Sequence, residues 1–387
     1  MRSLEKEKVQ VHKNQILNEE EFFEGKNVRR NKRKKNVFIS NFFNFLFYSG
    51  VCGFIIGLFL LYGPYNGFRE WYITTAMTTM THQYLATWFY SDDAIAEVLE
   101  KNKMVEVNAI TDPSLVTSVA STGNYTYANE YEKEILTINI EGKGYTGYLA
   151  AVYDASKLHT MVTSNLNKSG QYVTTMAQNN KAVLAINGGF FVDLKEDRSG
   201  GTPLGITISN GKTITNKAYN DEGGLIGFNT DNKLIIGKVT PDQAKQLNIR
   251  DAVTSGPFLI VNGQSSRVIG NGGWGTAPRT AIGQRKDGVV LLLVIDGRKV
   301  GRAGAQMNDL IEIMERYGAY NAAALDGGTS SVMIENYKII NDPINSDGVH
   351  KTRPVATAWG LILDDSSSST SNSQTKAKNN TTNGGRK

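Results

Sequence analysis

The chain has 387 residues, 40% hydrophobic and 20% charged, with 42 Lys and Arg against 37 Asp and Glu. The first 36 residues hold eleven of the basic and six of the acidic side chains, so the whole excess of five lies there. The balanced remainder lacks the clustered charge of a nucleic-acid-binding face, and one cysteine, Cys52, excludes an intramolecular disulfide.

The N-terminal segment 1–36 ends in the cluster Arg29-Arg30-Asn31-Lys32-Arg33-Lys34-Lys35. Residues 37–62 follow without a single charge, more than the roughly 20 needed to cross a bilayer. A basic cluster before an apolar span predicts a cytoplasmic N-terminus, a membrane helix over 37–62 and export of all that follows. A cleavable signal peptide fits less well: the charged region is too long and no small-residue cleavage site follows. Cys52 falls inside the span, so the exported part carries no thiol. An exported protein of this size without disulfides suggests a bacterial cell surface.

Residues 63–124 read as a helical stalk. Ile73, Met77, Met80, Tyr84, Leu85 and Trp88 recur near helical spacing, which predicts one amphipathic helix over 68–90. A second helix is expected from the capping residues Ser91-Asp92-Asp93 to about Lys103. The helices of 68–103 can form a stalk, a surface for homo-oligomer contact, or a lid packed on the main domain.

From about residue 125 short β-rich runs alternate with Gly, Asn and Asp turns. Strands are expected at 135–140, 145–152, 182–186, 205–209, 234–236, 258–261, 289–295, 322–325 and 331–334. Helices are expected from near Asn165 to Asn179 and over 305–317, the latter with Gly318 just past its end. Many strands and few helices predict an α+β domain over 125–365, around a mixed or antiparallel sheet with a few packed helices. The Ser/Thr/Asn-rich segment 366–387 predicts a disordered tail.

The chemistry concentrates in Gly-rich loops beside these strands. Ala322–Met333 runs from an apolar stretch into Asp326, Gly327, Gly328, Thr329, Ser330 and Ser331, then becomes apolar again. Read by itself this is a polar hairpin turn, or a backbone cradle for phosphate. Asn187-Gly188-Gly189-Phe190-Phe191, Ser255-Gly256-Pro257, Pro278-Arg279-Thr280-Ala281, Asp296-Gly297-Arg298 and Arg353-Pro354 have the same texture. His12, His82, His159 and His350 lack metal-ligand spacing. No Walker loop or Gly-x-Ser-x-Gly elbow is present, and Asn271-Gly272-Gly273-Trp274-Gly275 lacks the context of a dinucleotide site. Carboxylates, arginines and Gly-rich backbone suit an anionic ligand with acid/base chemistry. Bland roles compete at each position: Arg298 can pair with Asp296, Asn187 can brace a turn, and Asp309 can be a surface acid or a cap.

In this order the motifs resemble the phosphodiester glycosidase family, over roughly residues 125–365. The resemblance implies hydrolysis of a sugar-1-phosphodiester on the glycosidic side, with N-acetylhexosamine-type sugars in cell-surface or exopolysaccharide glycans as the substrate class. It assigns Asp326, Asp296 and Arg279 to catalysis. It assigns Asn187, Gly188, Gly189, Arg298, Gly327, Gly328, Thr329, Ser330, Ser331 and Arg353 to substrate and phosphate binding. The family usually carries a third glycine where this chain has Thr329. The separation of the two carboxylates decides whether the second attacks the sugar or activates water. Two other classes stay open: a Ca²⁺- or Mg²⁺-dependent phosphodiesterase built on Asp296 and Asp326, and a non-catalytic module for anionic cell-wall glycans.

Overall fold

The computed structural model describes residues 39–78, 82–117, 135–192, 200–217, 219, 223–345 and 348–363, with Phe22, Glu24, Lys26 and Asn27. The expected tail at 366–387 and nearly all of segment 1–36 lie outside the described residues. Contacts divide the chain into two compact units, Met1–Arg69 and Glu70–Lys387.

In the first unit, Ile39–Tyr62 forms one helix of 24 residues, long and apolar enough to cross a membrane. It ends at Gly63, whose N–H donates to Phe59 O at 2.8 Å.

Short helices follow, the first of them running across the boundary at Arg69. The single helix expected over 68–90 is two, Asn66–Met77 and Tyr84–Thr87. Thr74, Thr75 and Thr78 explain the early stop: branched hydroxyl residues disfavour helix and bond the backbone locally, as Thr78 Oγ1 does to Thr75 O at 3.0 Å. Helix Asp92–Lys101 begins as expected, with Ser91 Oγ accepting from Ala94 N. Ile73, Ala76, Ala86, Ile95 and Val98 bury a small core between these helices.

The remainder is an antiparallel β structure with helices packed on it. A seven-stranded sheet contains, among others, Tyr145–Val152, Arg279–Arg285, Val290–Ile295 and Ala319–Ala324. A five-stranded sheet contains Leu158–Val162, Ala182–Asn187, Met333–Glu335 and Thr357–Ile362, and a second five-stranded sheet contains Gly224–Asn229, Leu234–Gly237 and Ile249–Ser255. Every paired register within these sheets is antiparallel.

Strand Val290–Ile295 shows why its sequence reads as an unbroken apolar run. Side chains alternate across a sheet. Val290, Leu292 and Val294 enter a central core shared with the other sheets, around Phe228, Leu234 and Trp359. Leu291, Leu293 and Ile295 enter a second core with Leu310, Ile311 and Met314 of helix Met307–Arg316. Helix Val173–Asn179 covers the outer face of Ala182–Asn187 and Thr357–Ile362 in the same manner. This helix is shorter than the expected 165–179. Residues 165–169 turn instead, with Asn167 left-handed at φ 61°, a conformation no α-helix propagates.

Register brings the motifs to one edge. Arg279 pairs with Ile295, and Ala281 pairs with Ala324. The start of one strand and the ends of its two neighbours therefore meet, and Arg279, Asp296 and Asp326 leave the sheet together.

Candidate functional site

Segment 326–331 is the centre on which the site is built. It is not a hairpin: Ala319–Ala324 belongs to the seven-stranded sheet and Met333–Glu335 to a five-stranded one. The chain crosses between sheets through a short 3₁₀ turn, Gly328–Ser330. Gly328 takes φ 62° and donates its N–H to Pro278 O at 2.8 Å, which explains a glycine there. Gly327 packs on Arg279: a side chain at Gly327 would begin 3.6 Å from Arg279 Nη1.

Arg279 is buried, at 7% exposure. Its guanidinium donates to three carbonyls: Nε to Ala305 O at 3.3 Å, and Nη2 to Gly275 O at 2.8 Å and to Trp274 O. Among the described residues no carboxylate pairs with it. Burial, with Arg298 nearby, pushes its pKa down to about 10, so it stays cationic at neutral pH. A buried cation with no counter-charge among the described residues, beside a second cation, is an electrostatic invitation to an anion.

Arg298 sits at φ 61°. Its Nη1 donates to Thr329 Oγ1 at 2.7 Å and to Ile344 O at 3.0 Å. Thr329, the departure from the family's glycine, thus holds this arginine against the turn. The anticipated Arg298–Asp296 ion pair does not form among the described residues.

Asp296 is buried, at 6% exposure. Its Oδ1 accepts from Asn341 Nδ2 at 2.8 Å and from Asp342 N at 3.0 Å. Burial raises its pKa, partly opposed by those two hydrogen bonds and by Lys299. Asn341 Nδ2 also reaches Ser331 O at 3.4 Å, which ties the carboxylate to the turn. Ser331 Oγ is buried there with no hydrogen-bond partner among the described residues. Asp342 ion-pairs with Lys299 and His350.

Asp326 is half-buried. Its N–H donates to Gly188 O at 3.1 Å and its carbonyl accepts from Asn187 Nδ2 at 2.6 Å.

Asn187, Gly188 and Gly189 take part through structure. Asn187 is fully buried; besides Asp326 it serves Thr280 Oγ1 at 2.7 Å and Val332 N at 3.3 Å through its Oδ1. Gly188 N donates to Thr357 O, and Gly189 N to Thr357 Oγ1. A Cβ on Gly188 would lie 2.4 Å from Thr357 Oγ1, and one on Gly189 would lie 2.4 Å from Thr254 O. These glycines permit close approach of chain to chain, and their N–H groups are spent inside the fold rather than offered to a ligand. Ser330 is buried, with its N–H on Gly327 O. Arg353 stacks 4.8 Å over the Phe191 ring, beyond the Asn187 loop.

Sequence reasoning missed Asn341, Thr280, Ala305, Trp274 and Gly275, which hold the functional groups. Neither a hydrogen-bonded asparagine nor an accepting backbone carbonyl carries a sequence signal without the fold. Asp309 is a cap: its Oδ2 accepts from Gln306 N at 2.7 Å. Among the described residues no group of three or more His, Cys, Asp and Glu is placed to hold a metal ion.

The arrangement can grip an anion with two arginines at a Gly-rich turn while a half-buried and a buried carboxyl flank it. A family model described as phosphodiester glycosidase matches residues 180–362. A curated Bacillus subtilis relative, an SPbeta prophage-derived uncharacterized protein, is 28% identical over 188 residues, 46% of this chain. The chain spans only 28% of that relative's length. Among solved structures, the catalytic domain of zebrafish N-acetylglucosamine-1-phosphodiester alpha-N-acetylglucosaminidase, auto-inhibited by its pro-peptide, superposes with TM-score 0.49 at 20% identity, over 59% of this chain and 82% of that one. A hypothetical protein from Synechocystis gives TM-score 0.40 at 17% identity, over 58% and 61%. The resemblance carried by the motifs thus holds over residues 180–362, where this chain matches the phosphodiester glycosidase family.

Proposed function

We propose that this protein hydrolyses the glycosidic bond of sugar-1-phosphodiesters in cell-surface or exopolysaccharide glycans, with N-acetylhexosamine-type sugars as the substrate class. The observation that carries this reading is Arg279, a buried guanidinium with no carboxylate partner among the described residues, packed against the 326–331 turn.

Arg279 and Arg298 take the phosphodiester, and the turn closes around it. The C1–O bond breaks with its electron pair going to the phosphate oxygen. Water supplies hydroxyl to C1, and its proton leaves to a carboxylate or to solvent. The products are free sugar and a phosphomonoester on the former aglycone. Phosphate leaves readily, so the main contribution to rate is electrostatic stabilisation of its growing charge by the arginines. Asp326 serves as acid/base or holds sugar hydroxyls, and Asp296 is the second carboxyl. No step here is routed through a metal.

We place this domain outside the cell, anchored by Ile39–Tyr62. A basic N-terminal flank and an exported part without cysteine support that orientation. Lys212, exposed on its strand, is a position at which an introduced cysteine would react with a membrane-impermeant maleimide on intact cells; absence of labelling would reverse the topology.

The test of activity uses the full chain in detergent micelles with N-acetylglucosamine 1-phosphodiesters, followed by mass spectrometry and phosphorus NMR. Free sugar plus phosphomonoester, lost in Asp326→Ala and Arg279→Ala, supports the reading. Sugar 1-phosphate would mark a phosphodiesterase, and tight binding without turnover a glycan-binding module.

A further inference from the structure

The run Asn271-Gly272-Gly273-Trp274-Gly275 lacks the strand–helix context of a dinucleotide site, and it lies outside the proposed catalytic set. In the structure it is the loop that holds Arg279, since the carbonyls of Trp274 and Gly275 accept from the guanidinium. Its own shape is imposed from the N-terminal side, by residues far outside the matched segment 180–362.

Thr74 is fully buried. Its hydroxyl donates back to Glu70 O at 2.7 Å, as helical threonines do, and accepts from Asn271 Nδ2 at 2.9 Å. Asn271 N donates to Asn102 Oδ1 at 2.9 Å, and Asn271 Oδ1 accepts from Gly273 N at 3.0 Å. Asn102 is itself buried and donates to Val98 O of its own helix. The glycines record how tight this seam is. Gly270, Gly272, Gly273 and Gly275 all have positive φ. A Cβ on Gly270 would fall 2.3 Å from Asn102 Oδ1, one on Gly273 2.4 Å from Asn102 O, and one on Gly275 2.9 Å from Thr75 Oγ1. Just before the loop, Ile269 N donates to Lys103 O, and Met104–Val105 pairs with Arg267–Val268.

We infer that the helices at 66–101 are a positioning element of the anion site: Thr74 and Asn102 set Asn271, Asn271 sets the 271–275 loop, and that loop's carbonyls aim the Arg279 guanidinium. A segment that sequence alone reads as a stalk, an oligomer contact or a lid is thereby a working part of the site. The physical reason is directional. A guanidinium fork binds an oxyanion only in the orientation its other N–H groups fix, and those groups end on carbonyls that the helices hold. Thr74, Asn102 and Asn271 are positioning residues and touch no substrate. This rests on the proposed role of Arg279 as the anion-binding group.

The experiment uses the full chain in detergent micelles and inorganic phosphate as the probe, with binding by calorimetry and the hydrogen exchange of 270–278 by mass spectrometry. The variants are Thr74→Val, Thr74→Ser and Asn271→Ala, with turnover of the N-acetylglucosamine phosphodiester alongside. Small misplacements at a binding group cost up to about a hundredfold. Thr74→Val and Asn271→Ala are expected to weaken phosphate by at least about tenfold, with matching loss in kcat/KM, faster exchange in 270–278 and an unchanged melting temperature; Thr74→Ser restores binding. Wild-type phosphate affinity in Thr74→Val and Asn271→Ala overturns the inference and leaves the glycosidase reading standing. A parallel loss in Thr74→Ser, or loss only with a lowered melting temperature, also overturns it, because then the hydroxyl's direction is not what matters. Failure of the wild type to bind phosphate, with Arg279→Ala indistinguishable from it, removes the anion site and this inference together.

Discussion

At the residue scale the decisive contrast is between two buried charges. Arg279 keeps its charge because three carbonyls solvate it, and Asp296 is pushed toward neutrality because burial outweighs its hydrogen bonds. Arg279→Lys keeps a cation but cannot serve carbonyls and an oxyanion in one plane. We expect kcat/KM to fall about a hundredfold or more, read in steady-state assays; wild-type turnover would exclude the forked geometry. Asp296 predicts an opposite sign for stability. Its pKa in the fold lies above its unfolded value, so between the two the folded state keeps a proton that the unfolded chain has lost. Stability from this group is present below the unfolded value and is lost as pH rises through the raised one. Asp296→Asn preserves the oxygen that accepts from Asn341 and Asp342 and removes the titration. Melting curves from pH 4 to 8 should show the variant gaining on wild type as pH rises, while its turnover is abolished.

At the element scale the site is a meeting of strand ends braced by Asn187. Asn187→Ala would strand the Thr280 hydroxyl and the Val332 N–H in a dry interior and release the Asp326 carbonyl. The expected loss is about 2–3 kcal/mol, measured by urea unfolding, together with reduced activity. Gly188→Ala should cost about 1–3 kcal/mol, because a methyl there meets Thr357 backbone and hydroxyl; an unperturbed unfolding midpoint would argue against that contact. Much of this level was legible beforehand. Strands such as Tyr145–Val152 and Phe258–Val261 stand where their β-branched and aromatic runs put them. Strands such as Thr357–Ile362 and Ile249–Ser255 were not legible. Their Thr, Gly, Ser and Asp interrupt the apolar pattern, yet these residues are buried, and the side chains of Thr254, Thr357 and Asp251 are hydrogen-bonded inside the fold. Asp251 illustrates this: its Oδ1 accepts from Thr160 N and Asn210 N, and its Oδ2 meets His159 and Arg250.

At the scale of the whole molecule, the boundary drawn by composition at residue 124 differs from the boundary drawn by contacts at Arg69. Segment 102–117 is sewn into the β structure. Thr111 exchanges hydrogen bonds with Ile236, Glu106 accepts from Phe258 N and Gly223 N, and Thr117 donates to Lys286 O. A fragment beginning at residue 125 should therefore melt well below one beginning at residue 70, or fail to give a cooperative transition. Equal melting of the two fragments would make 70–117 an appendage.

The sequence by itself determined the apolar span, the charge-neutral remainder, the β-rich character of the second half and the small set of loops that carry charge next to glycine. Those are properties of composition and short period, which depend on neighbours along the chain. Only the tertiary structure decided that 326–331 crosses between two sheets, that Asn187 and its glycines brace the site from behind, and that helices before residue 102 shape the loop behind Arg279. Each of those depends on a hydrogen bond or a close approach between residues far apart in sequence, such as the 139 positions from Asn187 to Asp326 or the 197 from Thr74 to Asn271. The direction of a buried donor is fixed only when the chain has folded around it.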